Sequence, residues 1–89
     1  MTDKIKAKIK TTKAKLNKVL AEWFKVRDGL DKKVTAIYEN YRHGSRKFYA
    51  SLEAHNRKAT KIYWKWNLLV ARAERNAEKA REEANRELV

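Results

Sequence analysis

Apolar side chains recur along this chain at intervals of three and four. The first series runs Ile5, Ile9, Leu16, Val19, Leu20, Trp23, Val26, Leu30, Val34, Ile37 and Tyr41. The second runs Phe48, Leu52, His55, Ala59, Ile62, Trp66, Leu69, Ala73, Ala77, Ala80, Ala84 and Leu88. Spacing of this kind places each series on one face of an α-helix. The interruption from Arg42 to Lys47 contains Gly44, suited to the left-handed residue that closes a helix, and Ser45, suited to cap the next one. The pattern predicts an all-α protein, a long antiparallel two-helix hairpin over about residues 3–42 and 46–87.

With the turn centred between Gly44 and Ser45, residues whose numbers sum to 89 face each other. Tyr41 then meets Phe48, Ile37 meets Leu52, Val34 meets His55, Trp23 meets Trp66 and Leu20 meets Leu69. Further out, Leu16 meets Ala73, Ile9 meets Ala80 and Ile5 meets Ala84. Large residues opposing alanine allow the helices to approach more closely than about 8–10 Å. Two other arrangements compete. Asp28-Gly29 is a turn dipeptide and Asp31 a helix cap, so a break near Gly29 would give three helices. A nearly continuous helix dimerising as a coiled coil is the other, although the stripe departs from a strict heptad.

Composition supports helices throughout: the 89 residues contain no proline and two glycines. A single helical domain spanning 1–89 is expected, with a thin core. The formal net charge of +12, from 23 Lys and Arg against 11 Asp and Glu, creates a field that attracts anions. The segment from Asn67 to Val89 carries five basic and five acidic residues, so the net charge resides in the preceding part. In the hairpin register Lys4, Lys6, Lys8, Lys10, Lys13, Lys15 and Lys18 fall beside Glu74, Glu78, Glu82, Glu83 and Glu87. Lysines 4, 8, 15, 18, 25 and 32 also form a stripe on one helix face.

Little in the chain suits catalysis. Cysteine is absent, which excludes disulfides and thiolate metal sites. His43 and His55 are the only histidines and lack ligand partners at metal-binding spacing; His55 reads as a seam residue. No glycine-rich phosphate loop or nucleophile motif occurs. The expectation is a protein with no enzymatic activity and no cofactor. No apolar run approaches the roughly 20 residues that span a bilayer, and Met1 to Lys18 lacks the apolar centre of a signal peptide. A cytoplasmic or intravirion location is expected.

All nine aromatic residues lie between Trp23 and Trp66. Trp23, Tyr41, Phe48 and Trp66 fall on the seam, whereas Phe24, Tyr38, Tyr49, Tyr63 and Trp64 fall beside or outside it. Two helices cannot bury so many rings between them, so these five are expected to form an interface with another copy or with a partner, or to stack on bases. They are interleaved with Arg42, Arg46, Lys47, Arg57, Lys58, Lys61 and Lys65, which together with Lys15, Lys18, Lys25 and Lys32 make the candidate polyanion-binding set.

These features lead to a small basic helical protein that self-associates and binds nucleic acid or another polyanion. The alternative is an adaptor or inhibitor, of the kind phages and plasmids encode, docking on an acidic or nucleic-acid-binding surface of a larger protein. A coat or filament subunit is a third reading. A membrane-surface binder using Trp64, Trp66 and lysines is a fourth, less in keeping with the composition.

Overall fold

A computed structural model describes residues 2–88 and contains two long helices, α1 (Asp3–Asn40) and α2 (Arg46–Leu88), with no strand among the described residues. Thr2 opens α1: its carbonyl accepts from the Ile5 and Lys6 amides, and its hydroxyl lies 3.4 Å from the Ile5 amide. Asp3 adds a carboxylate in the first turn, where the helix dipole favours negative charge. Ser45 caps α2, its Oγ accepting from the Phe48 amide at 3.2 Å. Gly44 takes φ +82°, the left-handed conformation anticipated for it.

The helices occur in two compact units. Among the described residues, unit 1 comprises 2–22 and 67–88, and unit 2 comprises 23–66. Within each, a stretch of α1 runs antiparallel to a stretch of α2, the hairpin expected from the pattern.

In unit 2 the seam holds Leu30, Phe48 and Ala59, all buried. Trp23 stacks on Trp66 with ring centroids 6.1 Å apart, and Tyr63 meets the Trp23 ring edge-on at 5.1 Å. Offset and edge-on aromatic pairs of this type add about 0.5–1.5 kcal/mol beyond their area. In unit 1 the buried residues are Ala77, Ala80 and Ala84 on α2, and Ile5, Ile9 and Leu16 on α1 are half-buried. Alanine on one helix and larger aliphatics on the other make this part of the core narrow. The side chain of Leu88, last in the second stripe, lies outside the described residues.

Two expectations are corrected. First, α1 continues unbroken through Asp28, Gly29, Leu30 and Asp31, so the three-helix alternative does not form. The apolar stripe stays in phase there, and one interior glycine costs only about 1 kcal/mol. The end of α1 at Asn40 agrees with the expected bound of about 42. The Tyr41 amide still reaches the Ile37 carbonyl, but the Arg42 carbonyl accepts from Ser45 and belongs to the turn. Second, Tyr41 leaves the stripe and is exposed, and its expected place against Phe48 is taken by neighbours. Tyr38 meets the Phe48 ring edge-on at 5.2 Å and His43 stacks on it at 4.7 Å.

Of the expected rows of facing charges, one pair crosses between helices among the described residues: Lys8 donates to both carboxylate oxygens of Glu83 at 2.9 Å. Both side chains are about half exposed, so the pair contributes on the order of 0–1 kcal/mol.

Candidate nucleic-acid interface

Unit 2 brings together most of the residues nominated from the sequence. Lys25 and Lys32 on α1, Arg42 in the turn, and Arg46, Lys47, Arg57, Lys58, Lys61 and Lys65 on α2 are all exposed. Residues 23–66 contain eleven basic and four acidic side chains. Two of the cations have a carboxylate one turn away: Lys32 is 3.1 Å from Asp28 and Arg57 is 2.6 Å from Glu53. Exposed pairs spaced i, i+4 hold such side chains loosely, at about 0.3–0.5 kcal/mol, and a phosphate can displace the carboxylate. The other seven nominated cations of this unit have no carboxylate partner among the described residues.

Positions on α2 decide what these charges can do together. Lys58, Lys61 and Lys65 stand at i, i+3 and i+7, which puts three ammonium groups on one helix face. Arg57, Lys61 and Trp64 share an adjoining face by the same spacing. Trp64 is 66% exposed and Tyr49 is 61% exposed, the largest values among the aromatic residues. No aromatic partner covers Trp64 among the described residues. Tyr49 meets the Phe48 ring at a steep angle with centroids 5.5 Å apart, and most of its ring stays in water.

On α1, Phe24 is 53% exposed, with the Arg27 guanidinium 5.2 Å from the ring centre. Tyr38 is 46% exposed and leans on Phe48 and His43. Tyr63 behaves differently from the other four. It is half-buried, and its ring is engaged by Trp23, so the seam absorbs it. His55 is half-buried on the seam, where the sequence placed it.

Lys15 and Lys18 belong to unit 1, apart from the rest of the nominated set. They border a groove of about 530 Å³ whose floor includes Val19, Leu69 and Ala73. Arg72, Lys79, Lys8, Thr12 and Asn76 also line it, and none of these was nominated as a site residue from the sequence. Exposed Leu68 was likewise missed. The signal available was the seven-residue spacing of Lys8 from Lys15 and of Arg72 from Lys79, each pair flanking an apolar stripe.

No cluster of His, Asp or Glu able to hold a metal ion occurs among the described residues. No described helix is long and apolar enough to cross a membrane. Set against known protein families, characterised proteins and solved structures, the chain matches no family, no protein and no structure.

Proposed function

We propose that this chain is a non-enzymatic nucleic-acid-binding protein whose contact surface is unit 2. The observation that carries this reading is the position of Trp64, the most exposed aromatic ring, on a helix face shared with Arg57 and Lys61 and bordered by Lys58 and Lys65. Cations track a phosphate backbone without regard to sequence, and an uncovered ring offers a platform to any base. Single strands fit this combination best, because only unpaired bases expose a face for stacking. Phe24, Tyr38 and Tyr49 supply further rings, either to bases or to a second copy. Self-association is part of the proposal, and it is opposed by the charge of unit 2 until phosphate or salt offsets it.

The direct test is Trp64→Ala against a single-stranded and a duplex oligonucleotide. A loss of about 1–3 kcal/mol is expected on the single strand and much less on the duplex. Equal effects on both would remove the stacking role. Because Trp64 faces water, its replacement leaves folding intact.

A further inference from the structure

We propose that the groove of unit 1 docks an acidic amphipathic helix of a partner protein, which completes a three-helix bundle there. This goes beyond the reading of unit 2 and stands on separate residues.

The groove has the periodicity of a helix seat. From α1, Lys8, Thr12, Lys15, Val19 and Glu22 border it at successive spacings of four, three, four and three. From α2, Leu69, Ala73, Asn76, Lys79 and Glu83 do so at four, three, three and four. Side chains at these intervals line the flank of each helix next to the existing seam. Two such flanks side by side form the trough that the ridges of a third helix enter. Lys8 to Glu22 rises about 21 Å along α1, enough for roughly four turns of a partner.

Chemistry selects the occupant. The floor is aliphatic, from Val19, Leu69 and Ala73, and no aromatic residue borders it because all nine lie in 23–66. Bases therefore find no aromatic ring to stack on, whereas Leu or Ala of an amphipathic helix finds matching apolar surface. The rim carries Lys8, Lys15, Lys18, Arg72 and Lys79 against two carboxylates, Glu22 and Glu83. Lys8 and Glu83 bind each other, which leaves a positive border facing the occupant. A second copy of this chain carries a net charge of +12, and its segment 67–89 is charge-balanced, so it offers no net negative complement to this rim. A helix with Glu or Asp flanking its apolar face is complementary.

The test uses the full chain and synthetic amphipathic peptides of about 18 residues, roughly 27 Å as a helix. One peptide has Leu and Ala on one face with Glu flanking it, and a second has Lys in place of every Glu. The acidic peptide is expected to bind with micromolar affinity and to gain helicity on binding, and the basic one to bind at least about tenfold more weakly. The triple variant Lys15→Glu/Lys18→Glu/Lys79→Glu reverses the rim at exposed positions and should invert that preference. Asn76→Trp, also at an exposed position, should fill the groove and weaken both peptides, with far-UV dichroism confirming that each variant is folded. Oligonucleotide binding through unit 2 should survive Asn76→Trp, so failure here and failure of the nucleic-acid reading are separable. Three results overturn the proposal. One is no binding of the acidic peptide, or binding that neither variant alters. Another is an oligonucleotide that displaces the peptide and is itself weakened by Asn76→Trp, which assigns the groove to nucleic acid. The last is a wild-type dimer dissociated by Asn76→Trp, which assigns it to a second copy.

Discussion

Trp23 and Trp66, forty-three positions apart in the sequence, stack with ring planes 17° from parallel. The pair joins α1 to α2 in unit 2, and Tyr63 closes its edge. Both tryptophans are half-buried, so truncation removes part rather than all of the burial of a core ring. Trp23→Ala and Trp66→Ala are each expected to destabilise the fold by about 2–3 kcal/mol, somewhat below the range for fully buried rings. Combining them should cost less than the sum of the two, because each deletes the same contact. Urea unfolding followed by dichroism measures all three, and strict additivity would show that the rings do not interact.

The two glycines should respond to alanine with opposite signs. Gly44 has φ +82°, where a Cβ is strained whatever space surrounds it. Gly44→Ala should destabilise by about 1 kcal/mol. Gly29 lies inside α1 with nothing within 4 Å of where its Cβ would stand. Gly29→Ala should stabilise by about 0.5–1 kcal/mol, seen as a rise in Tm of roughly 2–8 °C for a chain of this size. A loss of stability at Gly29 would show that a bend there is required.

The register of unit 1 is open to a covalent check. Ala80 is 1% exposed and Ile9 is half-buried, and the sequence pairs them across the seam. Ile9→Cys with Ala80→Cys should form a disulfide within one chain on mild oxidation, since facing seam positions bring Cβ atoms close to the roughly 4 Å that a disulfide spans. Non-reducing electrophoresis separates this from crosslinked dimers. Dimers alone would mean that the helices pair between chains.

How far these relationships were legible in the sequence depends on what each one needed. Every seam position named from Ile5 to Ile37 and from Phe48 to Ala84 is buried or half-buried, because a stripe at intervals of three and four specifies a helix face directly. Gly44 and Ser45 were legible because each has one dominant backbone use. Tyr41 was misplaced since periodicity continues past a helix end and cannot show that the Arg42 carbonyl is taken by the turn. Tyr63 was read as an outer residue by its angle from the stripe, but the Trp23 ring is wide enough to reach it. The groove of unit 1 was not legible. Its borders are flanking positions of mixed type, such as Thr12 and Asn76, and only the pairing of two helices turns two flanks into one trough.

Salt should move the two proposed uses of the aromatic residues in opposite directions. Phosphate contacts weaken as salt rises, because binding releases counterions. Association of copies through Phe24, Tyr38 and Trp64 should strengthen, because salt screens the repulsion between positively charged units while burial of rings persists. Sedimentation velocity across a salt series is expected to show growth in mass with salt, abolished by Phe24→Ala with Trp64→Ala. A monomer at every salt concentration would leave these rings to nucleic acid or to another protein.

The most direct measurement of the central claim is the affinity of the chain for a labelled single-stranded oligonucleotide as a function of salt. The logarithm of affinity should fall linearly with the logarithm of salt concentration, at about 0.7 per phosphate neutralised on a single strand. With Lys58, Lys61 and Lys65 on one face and Arg46, Lys47 and Arg57 on the same helix, a slope of several is expected. Lys58→Gln/Lys61→Gln/Lys65→Gln should flatten it by about 2 and weaken all sequences nearly alike, since backbone contacts carry no sequence information. Absence of binding at low salt, or a slope unchanged by removing those three charges, would contradict nucleic-acid binding by unit 2.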